Sequence, residues 1–162
     1  MSSASKSAGA KALAPASSPL QIEVRLAFRD SVHLSLEVSE AGEILTSTLT
    51  GSGCTEFLKL MAEWRPRFKG QLAELPLPGG QTHSAILMRE LILRAQGRWE
   101  FPYKDEELCH CRGVPAAVVD SAIIGGCHTV DQVKRATSAS TSCGTCRWDI
   151  ESILKYRLAE KP

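Results

Sequence analysis

Two cysteine pairs, Cys109-His110-Cys111 and Cys143-Gly144-Thr145-Cys146, stand 31 residues apart. A C-x-C and a C-x-x-C at this separation can supply four thiolates to one metal centre. The donor set suits tetrahedral zinc, or a [2Fe–2S] cluster in which each iron takes two thiolates. Two features lean toward iron. Structural zinc sites more often repeat C-x2-4-C knuckles, and a four-thiolate [2Fe–2S] centre is strongly anionic. Arg112 and Arg147 each directly follow a cysteine pair. Helix starts expected near Pro115 and Cys146 would aim free N–H groups at that charge.

The remaining thiols and imidazoles carry weaker signals. Cys127, between the two pairs, reads as a core residue rather than a fifth ligand. Cys54 precedes an expected helix and reads as a small buried residue, with a thiol-acceptor role as the sharper alternative. His110 is expected to support the site without ligating, since four cysteines already fill it. His33 and His83 have no visible carboxylate or nucleophile partner. There is no phosphate-cradling glycine loop, hydrolase elbow or paired-carboxylate motif, so no enzymatic activity is expected.

Composition narrows the class. The chain has 162 residues, enough for one domain or two small ones, and its 43% apolar content supports a packed core. A formal net charge of +1 supplies no field that would recruit nucleic acid or an anionic membrane surface. No apolar run is long enough to span a bilayer, and the first residues lack the apolar core of a secretory signal. The expected compartment is the cytosol, where thiols stay reduced, and the six cysteines then read as ligands or core residues rather than a disulfide framework.

The elements that must position the site follow in order. Residues 1–19, rich in Ser, Ala and Lys, are expected to form a disordered tail. From Leu20, Ile22, Val24, Leu26 and Phe28 alternate with Glu23, Arg25 and Arg29, and Val32, Leu34, Leu36 and Val38 alternate again after Asp30-Ser31. This predicts a hairpin, with a third antiparallel strand through Leu45 and Leu49. Thr55 is placed to cap a helix with Phe57, Leu60, Met61 and Trp64 on one face. A second helix is predicted from about His83 to Gln96, stopped by Gly97. Three strands covered by two helices make an α+β unit over 20–103.

An aromatic junction of Trp99, Phe101, Pro102 and Tyr103 then leads into a small all-helical unit over 104–162. Its first helix is expected to start with Pro115, to carry a stripe of Val118, Val119, Ala122 and Ile123, and to end at Gly125-Gly126. Thr129 and Gln132 form a capping box for the next, and the last begins at the second cysteine pair with Ile150, Ile153, Leu154 and Leu158 inward.

The run Cys109-x-Cys111, Gly113-Val114, Ala122-Ile123, Gly126, Thr129-Val130, Val133, Ala136-Thr137, Thr141, Cys143-Gly144-x-Cys146 and Ile150 resembles the bacterioferritin-associated-ferredoxin-like (BFD-like) [2Fe–2S]-binding domain, as in the middle of NifU. The same domain type occurs within some nitrite and nitrate reductases. The resemblance implies a compact helical fold, a [2Fe–2S] cofactor near the surface, and ligation by Cys109, Cys111, Cys143 and Cys146. It also implies electron exchange with a redox or iron–sulfur partner protein. More faintly, the strands followed by Gly51-Ser52-Gly53-Cys54 and a helix containing Glu63-Trp64 resemble the NifU/IscU-like scaffold domain in degenerate form, because Cys54 is the single cysteine before Cys109. The expected function is a small electron-transfer module whose amino-terminal part serves docking or homodimerisation. The alternatives are an iron–sulfur assembly or transfer protein of NifU-like type and a zinc-stabilised interaction module.

Overall fold

A computed structural model of the chain describes residues 19–159. The tail expected over residues 1–19 lies, but for its last residue, outside them. Strand β1 (Leu20–Leu26) pairs antiparallel with β2 (Asp30–Val38), Leu20 facing Leu36 and Val24 facing Val32. The period-two pattern has its expected consequence at Ile22, Val24, Leu26, Val32, Leu34 and Leu36, which all point into the core, but not at Phe28, which lies in the turn after β1 with φ +59° and is exposed. Strand β3 (Glu43–Ser52) follows, with a bulge where Glu37 and Val38 face it.

The sheet has a fourth strand that the sequence reading lacks. Residues Gly70–Gln71 (β4) pair with Glu43 and Ile44, giving the order β1-β2-β3-β4. Two residues are too few to show a period, so this strand leaves no hydrophobic signal.

Helix α1 (Thr55–Trp64) buries Phe57, Met61 and Trp64 against the sheet. Its cap is Cys54 rather than Thr55: the thiol accepts the Phe57 N–H at 3.4 Å. Helix α2 (His83–Ala95) is buried on nearly every face, including Arg89 and Glu90. It is covered on one side by β1 and meets the carboxy-terminal helices on the other, which explains why its polar positions are buried too.

The carboxy-terminal part is not all-helical. Glu107–Cys109 (β5) and Val114–Pro115 (β6) form a two-stranded ribbon before α3 (Ala116–Ile124), α4 (Val130–Thr137) and α5 (Arg147–Leu158). Pro115 is the residue before α3, not its first. Its missing N–H costs nothing there, and its fixed φ suits the ribbon's end. Of the expected α3 stripe, Val119 and Ile123 are fully buried whereas Val118 faces solvent. Both arms of the Thr129–Gln132 capping box form.

Two apolar cores result, one under the sheet and one among α3, α4 and α5, with Leu158 packed against both. Arg157 fastens them. Its guanidinium is 4% exposed and donates to Glu90 of α2 at 2.6 Å and to Asp120 of α3 at 2.7 Å. Trp99 covers it at 4.7 Å and Phe101 at 5.5 Å, and both rings also pack on Tyr156, so the aromatic junction serves packing. Arg89 spans the same seam, donating to the Pro78, Gly80 and Arg157 carbonyls. Removing one partner of a buried ion group leaves the others uncompensated. Arg157→Leu is therefore expected to destabilise the chain by roughly 3–5 kcal/mol in urea unfolding; a loss under about 1 kcal/mol, the range of surface pairs, would contradict this role.

Candidate metal centre

The ribbon and the α4–α5 connection deliver the two cysteine pairs to one place. Cys109 ends β5 and is buried, while Cys111 lies exposed on the turn into β6. Cys143 is exposed and Cys146, buried, caps α5; between them Gly144 takes φ +76°, which a side chain would strain. The approach to Cys143 is tightly folded. Ser138 and Ser140 both adopt positive φ, Thr137 Oγ1 donates to the Val133 carbonyl at 2.8 Å, and it accepts the Ala139 N–H at 3.2 Å. This turn buries Ala139 and Ser140 and brings the Ser140 amide to the sulfurs of Cys109 and Cys146.

Sγ of Cys111 lies 3.7 Å from that of Cys109 and 3.5 Å from that of Cys143. All four cysteines line one cavity of about 390 Å³, together with Tyr103, Leu108, His110, Thr145 and Asp149. Every sequence-predicted site cysteine thus reaches the same cavity, and four thiols facing one space can hold zinc or a [2Fe–2S] cluster.

The thiols titrate as two cross-loop couples. Burial pushes the Cys109 thiol up, but hydrogen bonds from the Ser140 amide and the neighbouring thiols bring it net below the usual cysteine range. Its partner Cys146 is raised, first by burial and then by the bond to Cys109. In the second couple the Thr145 hydroxyl and amide hold Cys143 down at about 7. Cys111 is raised: the Cys143 amide lowers it, but the contacts with the Cys143 and Cys109 sulfurs outweigh that. In each couple one thiol is lowered and its neighbour raised, as adjacent like charges require.

The other candidate residues near the centre make contacts of their own. His110 Nδ1 pairs with Glu107 at 2.7 Å. Arg147 turns to Glu151 at 2.8 Å instead of covering the sulfurs. Cys127 packs beside the second core and is not among the residues that line the cavity.

A second cluster of donors lies under the sheet unit, and here the reading that His83 lacks a partner is overturned. His83 Nε2 is 3.2 Å from Cys54 Sγ and 3.7 Å from Asp30 Oδ2, and ligand atoms of all three lie within 4.8 Å of one another. Asp30 Oδ1 accepts the Cys54 N–H at 2.9 Å, whereas the buried Oδ2 faces Arg29 Nε at 3.4 Å as an ion pair, with no hydrogen bond among the described residues. Gly53 permits this approach, since a Cβ there would meet Asp30 Oδ1 at 2.2 Å. Sequence reading missed the group because the hairpin turn, the start of α1 and the start of α2 meet only in the folded chain. The Gly-Ser-Gly-Cys run, marking a close backbone contact, was its one local signal.

Fold and site define an iron–sulfur, metal-binding protein. Residues 108–156 match the family model of the BFD-like [2Fe-2S] binding domain, and this segment of the chain is such a domain. The chain is similar to "Nitrite reductase [NAD(P)H]" of Bacillus subtilis (strain 168), at 42% identity over 55 residues, which is 33% of this chain and 7% of that protein. It is also similar to "Nitrite reductase [NAD(P)H] large subunit" of Klebsiella oxytoca, at 31% identity over 55 residues, 34% of this chain and 6% of that one. The likeness spans the iron–sulfur segment and a small fraction of either reductase. No solved structure matches the chain. Among the described residues no helix is long and apolar enough to cross a membrane.

An acid with a lowered pKa is more ionised at a given pH, so in metal-free protein Cys143 gains thiolate as pH rises through about 7. Alkylation of Cys143, followed by peptide mass spectrometry, should show its midpoint there. Thr145→Val removes the hydroxyl and should shift the midpoint upward; no shift would mean that the hydroxyl does not support this thiolate.

Proposed function

We propose that Cys109, Cys111, Cys143 and Cys146 hold the [2Fe–2S] cluster and that the chain is a small electron-transfer module without catalytic activity of its own. The carrying observation is the convergence of four thiols from two separate loops on one cavity inside the segment that the BFD-like model covers. When bound, the cluster supplies a one-electron couple. The chain's part is to fix the ligands: β5 and the α5 cap anchor the buried Cys109 and Cys146, and the loops present Cys111 and Cys143 at the surface. An electron then has a short path from the exposed side of the centre to a docked protein. Trp148, 75% exposed in the first turn of α5, stands beside that path as a contact residue.

On this reading the chain divides near residue 103 into a sheet unit and a cluster unit, works in the reducing cytosol, and takes a redox protein as partner. The sheet unit provides the docking or homodimer surface. Similarity of the cluster segment to parts of two nitrite reductases supports a redox partner.

A second reading, iron–sulfur assembly or transfer of NifU-like type, is favoured by the Asp30–Cys54–His83 group. An imidazole, a thiol and a buried carboxylate converging within 4.8 Å are a mononuclear metal's donors, and this would be the site that receives or passes on iron.

Anaerobically purified protein is expected to be coloured, to carry about two irons per chain, and to give an EPR signal on reduction. A colourless, zinc-containing sample would end the iron reading. Cys143→Ser should bleach the protein and lower the thermal stability of the cluster unit, because ligation supplies part of so small a unit's folding free energy; unchanged stability would contradict that coupling. Transfer of iron to a cluster-free acceptor, lost in Cys54→Ser, would favour the assembly reading; transfer unchanged in that variant would remove Cys54 from it.

A further inference from the structure

We propose that Cys111 and Cys143 are a thiol-oxidation site, forming a reversible disulfide in cluster-free chains that meet a low-molecular-weight disulfide such as oxidised glutathione. The proposal rests on the ligand reading above in one respect, that these two thiols are cluster ligands.

The four cysteines differ in what can reach them. Cys109 and Cys146 are 1% and 6% exposed, so a bulky disulfide has no approach to their sulfurs. Cys111 and Cys143 are both exposed, and their sulfurs lie 3.5 Å apart across the two loops. A disulfide needs about 2.05 Å, so the loops have to close by about 1.5 Å. Rotation of the two exposed side chains can supply much of this, and space is open beside both: Gly113 lies two residues beyond Cys111 with φ +61° and Gly144 directly beyond Cys143 with φ +76°, and a Cβ at either would meet no atom within 4 Å. The competing Cys109–Cys111 contact of 3.7 Å joins residues with one residue between them, and would have to draw the buried Cys109 out of its core.

The exchange balances as follows. The Cys143 thiolate attacks one sulfur of the small disulfide; a bond forms to Cys143, the small molecule's S–S bond breaks, and one thiolate leaves. Cys111, its proton passed to that thiolate or to solvent, then attacks Cys143 Sγ. The Cys111–Cys143 bond forms, the mixed disulfide breaks, and the second small thiolate departs. Two cysteine thiols have lost two electrons and two protons, and the small disulfide has become two thiols.

The link removes one ligand from each pair, so the chain cannot seat a cluster until a thiol reductant restores it. A bound cluster occupies both sulfurs and blocks the first attack. Loading and oxidation thus compete for the same two thiols.

The test treats cluster-free full-length chain with oxidised glutathione, maps the product by peptide mass spectrometry, and measures iron and sulfide uptake before and after reduction. The expected product is a single intramolecular Cys111–Cys143 disulfide, with uptake lowered at least about tenfold and recovered on reduction. Cys111→Ser should stop at a glutathione adduct on Cys143, and cluster-loaded chain should be spared. A link at other cysteines, stable adducts without a link in the unsubstituted chain, or undiminished uptake by the oxidised chain would overturn the proposal. Failure of the reduced chain to take up iron would overturn the ligand reading instead, while the mapped disulfide would still stand or fall by itself.

Discussion

Four thiols around one cavity, with neighbouring sulfurs as close as 3.5 and 3.7 Å, cannot all carry charge without a cation. This repulsion is the constraint around which the carboxy-terminal structure is built. Across the loops Cys109 is lowered where Cys146 is raised, and Cys143 is lowered where Cys111 is raised. A bound cluster would let all four ionise together. The local structure prepares for that charge. The Ser140 amide is turned to two sulfurs by a backbone held in positive φ, and the Thr145 hydroxyl and amide serve a third. Backbone strain in non-glycine residues costs on the order of 1–3 kcal/mol each, and it persists here because the Thr137 hydrogen bonds and the bond that the Thr141 hydroxyl donates to the Ser138 carbonyl fix the turn on both sides.

The centre is also fastened to the rest of the chain. Helix α5 begins at the ligand Cys146, in the proposed reading, and reaches the seam eleven residues later at Arg157. There Glu90 and Asp120 share one guanidinium beneath Trp99 and Phe101. One rigid helix therefore joins the cavity to the sheet unit. Displacing Arg157 would disturb packing under the sheet and the orientation of α5 alike. A buried ionic group is an expensive way to hold two cores together, but its directionality fixes a single arrangement where apolar contact alone would allow sliding.

Much of this was legible in the residues, and the failures have physical causes. Alternation in 20–38 fixes which faces are buried because period two admits a single register with an apolar core. The Thr129–Gln132 box and the C-x-C with C-x-x-C spacing are local signals, and they hold in three dimensions. What escaped was too short or too remote in sequence. β4 and the β5–β6 ribbon have two or three residues each, below the length at which a period can be seen. Val118 was placed inward from its spacing, yet in a nine-residue helix neighbouring apolar positions cannot all face the core. The Asp30–Cys54–His83 group joins three separate turns, and neither charge nor period announces it. The meeting of the four cysteines at one cavity was readable since the signal lies in their spacing; the burial of Glu90 and Arg157 was not, because it depends on what packs outside α2.

The account turns on iron held by sulfur at the two cysteine pairs. Iron K-edge X-ray absorption of the anaerobically purified protein tests it most directly. A shell of sulfur neighbours around each iron, with one iron neighbour at short range, is the predicted result, and both features should vanish together when Cys109 and Cys146 are replaced by serine. A first shell of nitrogen and oxygen without an iron neighbour, unaffected by those replacements, would contradict it and move the metal to Asp30, Cys54 and His83.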